Sequence, residues 1–365
     1  MLAHERQAHI VNSVRTQGVV RVADLVAELG VSSMTVRRDL DVLASRGMIE
    51  KFHGGASLRG PKRVHATPTS EVDGGAATSG GQIGIVVPAG DYYFASILGG
   101  IRQSLDAQAI RRSLVRPPRD PEQERKLAEE LISSGAAGLV LAPSIDLERP
   151  EPGYARWLLS LPVPVVLVER EVRDEESGRT LSTVRTDHEN GCRTAVAHLR
   201  QLGHQGVALI THGESQSGTR VMNGWSSAVG DAGMAGKRSP LITIEDRSGG
   251  GYGTNEIIDG VLDKLREARV TAVICHSDHI ALPLVHRAKV RGWSIPRDLS
   301  VIAHDDESAE MADPPLTAVS PPKSWIGETA ARTLLELLAA GPDGPVRQVV
   351  AEPRLVLRHS TAAPP

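Results

Sequence analysis

The 365 residues predict an α/β chain in which a small winged helix-turn-helix unit precedes two lobes built on parallel sheets. Three observations carry that expectation. Two short amphipathic stretches meet across a glycine turn near the start, short apolar runs alternate with helical stretches from residue 82 onward, and a segment poor in aliphatic residues separates the two patterns. The length favours two or three domains.

The first unit, residues 1–57, reads in order. Ile10 and Val14 share one face of a helical stretch over residues 4–16, and Val19–Arg21 is a strand candidate. Val22, Leu25, Val26 and Leu29 fall at i, i+3, i+4 and i+7, giving a short helix that Gly30 stops. Val36, Leu40 and Leu43 continue the helical spacing over residues 33–46, so a second helix follows across a tight turn. Ser32 or Ser33 can cap its start, and Gly47 can take the left-handed conformation that ends it. Met34, Thr35, Arg38, Asp41 and Val42 then project away from the apolar stripe, with Arg37 on its flank. Residues 48–52, followed by Gly54 and Gly55, read as a wing hairpin. Ser33, Thr35, Arg37, Arg38, Lys51 and His53 are the candidate DNA contacts. Charge alone does not argue for them: residues 1–57 hold seven Lys and Arg against six Asp and Glu, a weak basic footprint.

Residues 58–81 carry Pro61, Pro68 and two glycine pairs with almost no aliphatic side chain, and read as a flexible linker spanning about 27 Å r.m.s.. From residue 82 the alternation starts: QIGIVV, a helix over 94–108, a strand near Ser113, a helix over 122–133, GLVLA and VPVVLV. It restarts after TLSTVRTD with helices over 190–202, through Trp225, over 254–268 and over 279–291, separated by GVALI, LITI, TAVIC and LSVIA. Short apolar runs between helices imply parallel strands buried on both faces, and the restart implies two lobes over 82–365. A ligand then sits where the carboxyl ends of both sets of strands face a shared cleft.

Composition excludes several classes. Cys192 and Cys275 are too few and too distant for a disulfide framework, and no CxxC zinc spacing occurs. No charged-then-apolar leader and no run of 18 apolar residues is present, so a cytoplasmic chain without a membrane span is expected. His276, Asp278, His279, His304, Asp305 and Asp306 are potential metal ligands, but the first three diverge around a strand-to-helix turn, and no metal or cofactor is expected. GESQSG fails as a nucleophile elbow, GGGYGT lacks the last glycine of GxGxxG, and no GxxxxGK[ST] loop exists. A sugar-processing enzyme of the kinase kind with an appended DNA-binding domain is the alternative, and it lacks its nucleotide motif.

The stretch VADLVAELGVSSMTVRRDLDVLASRGMIEKFHGGA resembles the N-terminal domain of DeoR-family transcription regulators. QIGIVVPAGDYYFASILGGI, GLVLAPS, VPVVLVER, TDHENGCRTAVAHLRQLGHQGVALI, AVICHSDHIALPLVHRAKVRGWSIPRDLSVIAHDD, PPLTAV and LVLRHSTA resemble, in register, the sensor domain of LacI/GalR regulators, which is periplasmic-binding-protein-like. That second resemblance implies three crossovers between the lobes, near Thr186, at residues 304–306 and after Val319, with a late segment returning to the first lobe. It also implies effector contacts. Tyr93 and Phe94 match ring positions after the first strand, although Phe94 can equally be helix core. Asp278 matches an acidic strand-end residue able to accept two hydroxyl hydrogen bonds. Glu169 and Arg170 match a strand-end pair that can instead be a hinge salt bridge. Arg220 departs from the pattern, lying four rather than three residues before Gly224 and Trp225. Arg247, where many members have a ring, can meet an anion or sit in solvent.

These readings lead to a transcription regulator, a repressor, that binds double-stranded operator DNA as a homodimer under the control of a sugar-like effector, without a membrane partner. LacI-type regulators insert a short apolar helix between reader and sensor, and residues 58–81 offer no such stripe.

Overall fold

The computed structural model describes residues 6, 10, 19–21, 25–26, 29, 31, 35–36, 38–40, 43, 50–52, 55–57, 71–72, 81–89, 92–144, 153–212, 216–234, 236–244 and 255–365. The chain divides into two units, residues 1–67 and 68–365. In the first, β1 (Val19–Arg21), β2 (Glu50–Phe52) and β3 (Gly55–Ser57) form an antiparallel sheet in the order β1-β3-β2. The hairpin β2-β3 is the expected wing, with Lys51 opposite Ala56. Ile10, Leu25, Val36, Leu40 and Leu43 are buried together, and Val26, Leu29 and Val31 pack against them. The helical spacing of Val36, Leu40 and Leu43 thus points inward as expected, which leaves Arg38 exposed and Thr35 half-buried. Arg6 ion-pairs with Asp39 at 2.5 Å, tying an early residue to that stripe's flank.

In the second unit, β4 (Glu71–Val72) pairs antiparallel with a later strand, so two residues of the stretch expected as linker are held at a sheet edge. The first lobe then runs β5 (Gln82–Val86), α1 (Phe94–Asp106), β6 (Arg112–Val115), α2 (Pro121–Ser133), β7 (Ala136–Leu141), α3 (Tyr154–Ser160), β8 (Val165–Val168) and β9 (Ser182–Thr186). The second runs α4 (His188–Gln201), β10 (Ala208–Thr211), α5 (Gln216–Asp231), β11 (Leu241–Thr243), α6 (Asn255–Glu267), β12 (Ala272–Cys275), α7 (Asp278–Val290), β13 (Ser300–His304) and β14 (Thr317–Ser320). α8 (Lys323–Ala340) and β15 (Gln348–Ala351) return to the first lobe, and β16 (Arg354–Val356) goes back to the second. The sheets order as β15-β9-β8-β7-β5-β6-β4 and β11-β10-β12-β13-β14-β16, with only β4 and β16 antiparallel to their neighbours.

Each sheet is covered on both faces. Ile83, Ile85 and Val140 face α1 and α8, while Val86, Leu139 and Leu141 face α2 and α3; in the second lobe Val207 and Leu209 face α4 and α5, Ala208 and Ile210 face α6 and α7. This is why the strands read as continuous apolar runs. Helix starts follow local chemistry: Asp120 caps α2 by accepting from Glu122 N at 2.9 Å, with Pro121 in the first turn, and Asp187 caps α4 by accepting from Asn190 N at 3.1 Å.

Three segments join the lobes, at Thr186 to His188, Ser320 to Lys323, and Ala351 to Arg354. The first and second are where the sequence places them. The crossover expected at residues 304–306 is not one, because β14 pairs parallel with β13 in the same sheet; the third crossing is made instead by Glu352 and Pro353.

α8 packs on α1 through two glycines. A β-carbon at Gly100 would press into the Ser324 carbonyl, and one at Gly327 into the Ile97 carbonyl. Both obstacles are helix backbone, which cannot swing aside as a side chain does. Gly327→Ala is therefore expected to cost about 1–3 kcal/mol, measured by urea unfolding at neutral pH; an unchanged midpoint would show that the helices can separate freely.

Candidate functional site: the interlobe cleft

The carboxyl ends of the strands converge on the junction of the lobes. Glu169, immediately after β8, has φ 58° and is fully buried. Its carboxylate accepts from Thr186 N at 3.1 Å, Thr186 Oγ1 at 2.8 Å and the Tyr93 hydroxyl at 2.9 Å, and Oε2 lies 3.2 Å from His188 Nε2. Burial alone would raise this carboxyl, but the His188 hydrogen bond and charge, with the Thr186 bonds, outweigh it and hold Glu169 at about 2. Glu169 thereby fastens the first crossover.

Beyond it lies a row of imidazoles. Ring centroids are 5.2 Å apart for His188 and His304, 6.4 Å for His304 and His276, and 4.5 Å for His276 and His212. His276 and His304 are held well below the ordinary histidine value, first by burial and then by neighbouring positive groups, so both rings are neutral at pH 7. Both ring nitrogens of His304, Nδ1 of His188, Ser277 Oγ and Asp278 Oδ1 are buried without a hydrogen-bond partner. Buried polar atoms without partners are costly, and a hydroxyl-rich ligand can satisfy such a set.

The lobes are also clasped directly. The Tyr92 hydroxyl donates to Asp305 Oδ2 at 2.5 Å, Ser96 Oγ to Glu307 Oε1 at 3.0 Å, and Lys323 Nζ to Glu307 Oε1 at 2.7 Å and to the Asp305 carbonyl.

The residues expected at the site have different fates. Tyr93, Glu169 and Arg170 do come together, yet as hinge furniture: Tyr93 is half-buried on Glu169, and Arg170 Nη1 donates to the Glu169 carbonyl at 3.1 Å. Phe94 is core, packed among Ile97, Ile101 and Val87, and cannot face a ligand. Asp278 commits Oδ2 to the backbone N–H groups of Glu307, Ser308 and Ala309 at 2.8, 2.6 and 3.1 Å, capping the turn Ala309–Met311. Only Oδ1 remains for a ligand, so it cannot present both carboxylate oxygens to hydroxyls. Arg220 points elsewhere. It pairs with Glu171 at 2.5 Å beside a seam cavity of about 570 Å³ lined also by Arg185, Glu189, Gln216 and Gln348. One residue of helix is a 100° rotation, and the position three before Gly224 is Val221, buried in the second lobe's core. Arg247, Ser33, Arg37 and His53 lie outside the described residues. Tyr92, His188, His276, His304, Asp305 and Lys323 are the cleft residues the sequence does not single out as effector contacts; their shared signal is position, within a few residues of a strand's carboxyl end or a crossover. Among the described residues no group of three or more His, Cys, Asp and Glu is arranged to hold a metal ion.

Two family descriptions match separate parts of the chain. Residues 6–61 match the DeoR-like helix-turn-helix domain, and residues 196–361 match the periplasmic binding protein-like domain. The chain is 26% identical over 349 residues to the arabinose metabolism transcriptional repressor of Geobacillus stearothermophilus, covering 93% of this chain and 90% of that one. It is 29% identical to the HTH-type transcriptional regulator reg1 of Streptomyces lividans, covering 94% and 97%. In three dimensions it is similar to a LacI family transcriptional regulator from Enterococcus faecium with bound ribose, with a TM-score of 0.64 at 24% identity over 77% of this chain and 99% of that one.

Proposed function

We infer that this chain, which joins a DeoR-like helix-turn-helix domain to a periplasmic-binding-protein-like domain of the kind found in LacI regulators, is a transcriptional repressor whose hold on operator DNA is set by a small sugar-like effector. One observation carries the coupling. The chain that presents an exposed Arg38 beside an apolar helix stripe also closes two lobes around five buried polar atoms that lack partners. The effector lies between the lobes, contacted by groups from the ends of β12 and β13 and from the first crossover. Two copies place two readers on a pseudo-palindromic site, and the protein acts in the cytoplasm. No helix among the described residues is long and apolar enough to cross a membrane. The full-length relatives are regulators rather than enzymes.

The test begins by selecting bound sequences from random double-stranded DNA, then follows the selected operator by fluorescence anisotropy. Arg38→Ala should weaken operator binding by the roughly 1–3 kcal/mol of one lost contact, about 5- to 150-fold. A uniform loss with a salt slope lower by about one marks a phosphate contact; relaxed discrimination at one position marks a base contact. A panel of neutral sugars, sugar acids and sugar phosphates should contain one class that shifts the operator midpoint. A protein that selects no sequence at all would overturn the reading.

A further inference from the structure

Two adjacent tyrosines leave β5 in different directions. Tyr93 turns to the hinge, whereas Tyr92 crosses from the first lobe to the second. Its ring stacks on the His279 imidazole, centroids 3.9 Å apart and planes 28° apart, and its hydroxyl donates to Asp305 Oδ2. The two residues that hold it are bracketed along the chain by polar groups left without partners: Ser277 Oγ and Asp278 Oδ1 precede His279, and both nitrogens of His304 precede Asp305. All three of these residues are at least nine-tenths buried. The second lobe therefore offers a flat face, a carboxylate acceptor beside it and further unmet polar atoms, and what fills the flat face is the chain's own phenol.

We propose that Tyr92 is a displaceable occupant of the effector seat, and that the effector is a neutral, hydroxyl-bearing ring of about that size. This rests on the regulatory reading above and narrows it. The ring lies on His279 and donates a hydroxyl to Asp305, as the phenol does now. A carboxylate or phosphate at that end of the ligand is disfavoured, because it would face the Asp305 carboxylate, while the nearby cations are already engaged, Lys323 with Glu307 and Arg358 with Asp306. The seat is open only in the fraction of molecules whose Tyr92 has swung out, and the apparent affinity for any ligand is reduced by that fraction.

The probe is 4-methylphenol, the tyrosine side chain cut free, titrated into the full-length chain and followed by calorimetry and thermal shift. Tyr92 belongs to none of the buried apolar clusters, so Tyr92→Ala should fold, as circular dichroism checks. That variant should bind 4-methylphenol, and at least about tenfold more tightly than toluene, which cannot donate to Asp305. Wild type and Tyr92→Phe, whose own rings still cover His279, should bind neither. For a sugar that releases wild-type protein from DNA, the half-effective concentration should fall by about tenfold or more in Tyr92→Ala. A folded Tyr92→Ala that ignores 4-methylphenol, or wild type that binds it equally, overturns the proposal. The probe titration involves no DNA, so failure of the regulatory reading shows separately, as absent operator binding.

Discussion

Glu169→Ala should lower the stability of the two-lobed unit by about 3–5 kcal/mol, because it leaves several buried donors without an acceptor at about 1–3 kcal/mol each. The carboxylate is the common acceptor for Thr186 N, Thr186 Oγ1 and the Tyr93 hydroxyl, and it pairs with His188 Nε2. Deleting it strands these donors in a place water does not reach. Alanine also inherits the φ of 58°, a left-handed conformation it adopts poorly. Glu169→Gln separates the terms, since the amide keeps an acceptor oxygen and the volume but loses the charge opposite His188; it should cost less than half as much. Urea unfolding at pH 7 measures both. A loss under about 1 kcal/mol for alanine would mean that the first crossover is fastened by something else.

The unit should also be steeply acid-labile. His276 and His304 stay neutral in the folded protein to a pH well below their ordinary value of 6.5, whereas the unfolded chain takes up protons there. A depressed folded value means stability that is present above about 6.5 and lost as pH falls, by up to about 1.4 kcal/mol per pH unit for each histidine. Glu169 extends the window: its contribution is present above its ordinary 4.5 and lost toward its folded value of about 2. Asp278 and Glu124, raised by burial, oppose this, because the folded protein keeps protons that the unfolded chain has shed. The comparison that isolates the imidazole is wild type against His304→Gln, with unfolding free energy measured from pH 7 to pH 5. The variant should show a slope below pH 6 that is shallower by roughly 1 kcal/mol per unit. Parallel curves would place the acid sensitivity outside the histidine row.

The regular parts of the fold were legible because they depend on period alone. Val36, Leu40 and Leu43 point inward, and runs such as VVLV over β8 are covered on both faces, as spacing requires. Period does not say which distant segment meets a residue. Tyr93 and Phe94 are one position apart, and 100° of helix sends one to Glu169 and the other into the core. Asp278 looks like a free strand-end carboxylate until Glu307, Ser308 and Ala309 arrive from some thirty residues downstream to claim one of its oxygens. Tyr92 and Asp305 lie 213 residues apart, so their pairing has no local signature. The late segment, expected only as a return to the first lobe, supplies α8 and β15, and the last crossing lies at Glu352 and Pro353 because β15 pairs with β9 in the first lobe and β16 with β14 in the second, partners that no local spacing reveals.

That late return has a consequence for biosynthesis. The face of α1 that carries Phe94, Ile97 and Ile101 is covered by Ile326, Ala330 and Leu334 of α8, and the outer edge of its sheet is β15. On the ribosome these partners emerge only after the whole second lobe has been translated, a delay on the order of ten seconds at about 5–20 residues per second. The second lobe, contiguous but for β16 and the tail that follows it, can close most of its core while the nascent first lobe still shows a bare apolar face to chaperones and to other chains. Substitutions along α8 should therefore reduce the yield of folded protein in cells more than their equilibrium cost implies, because they lengthen the interval in which that face stays open.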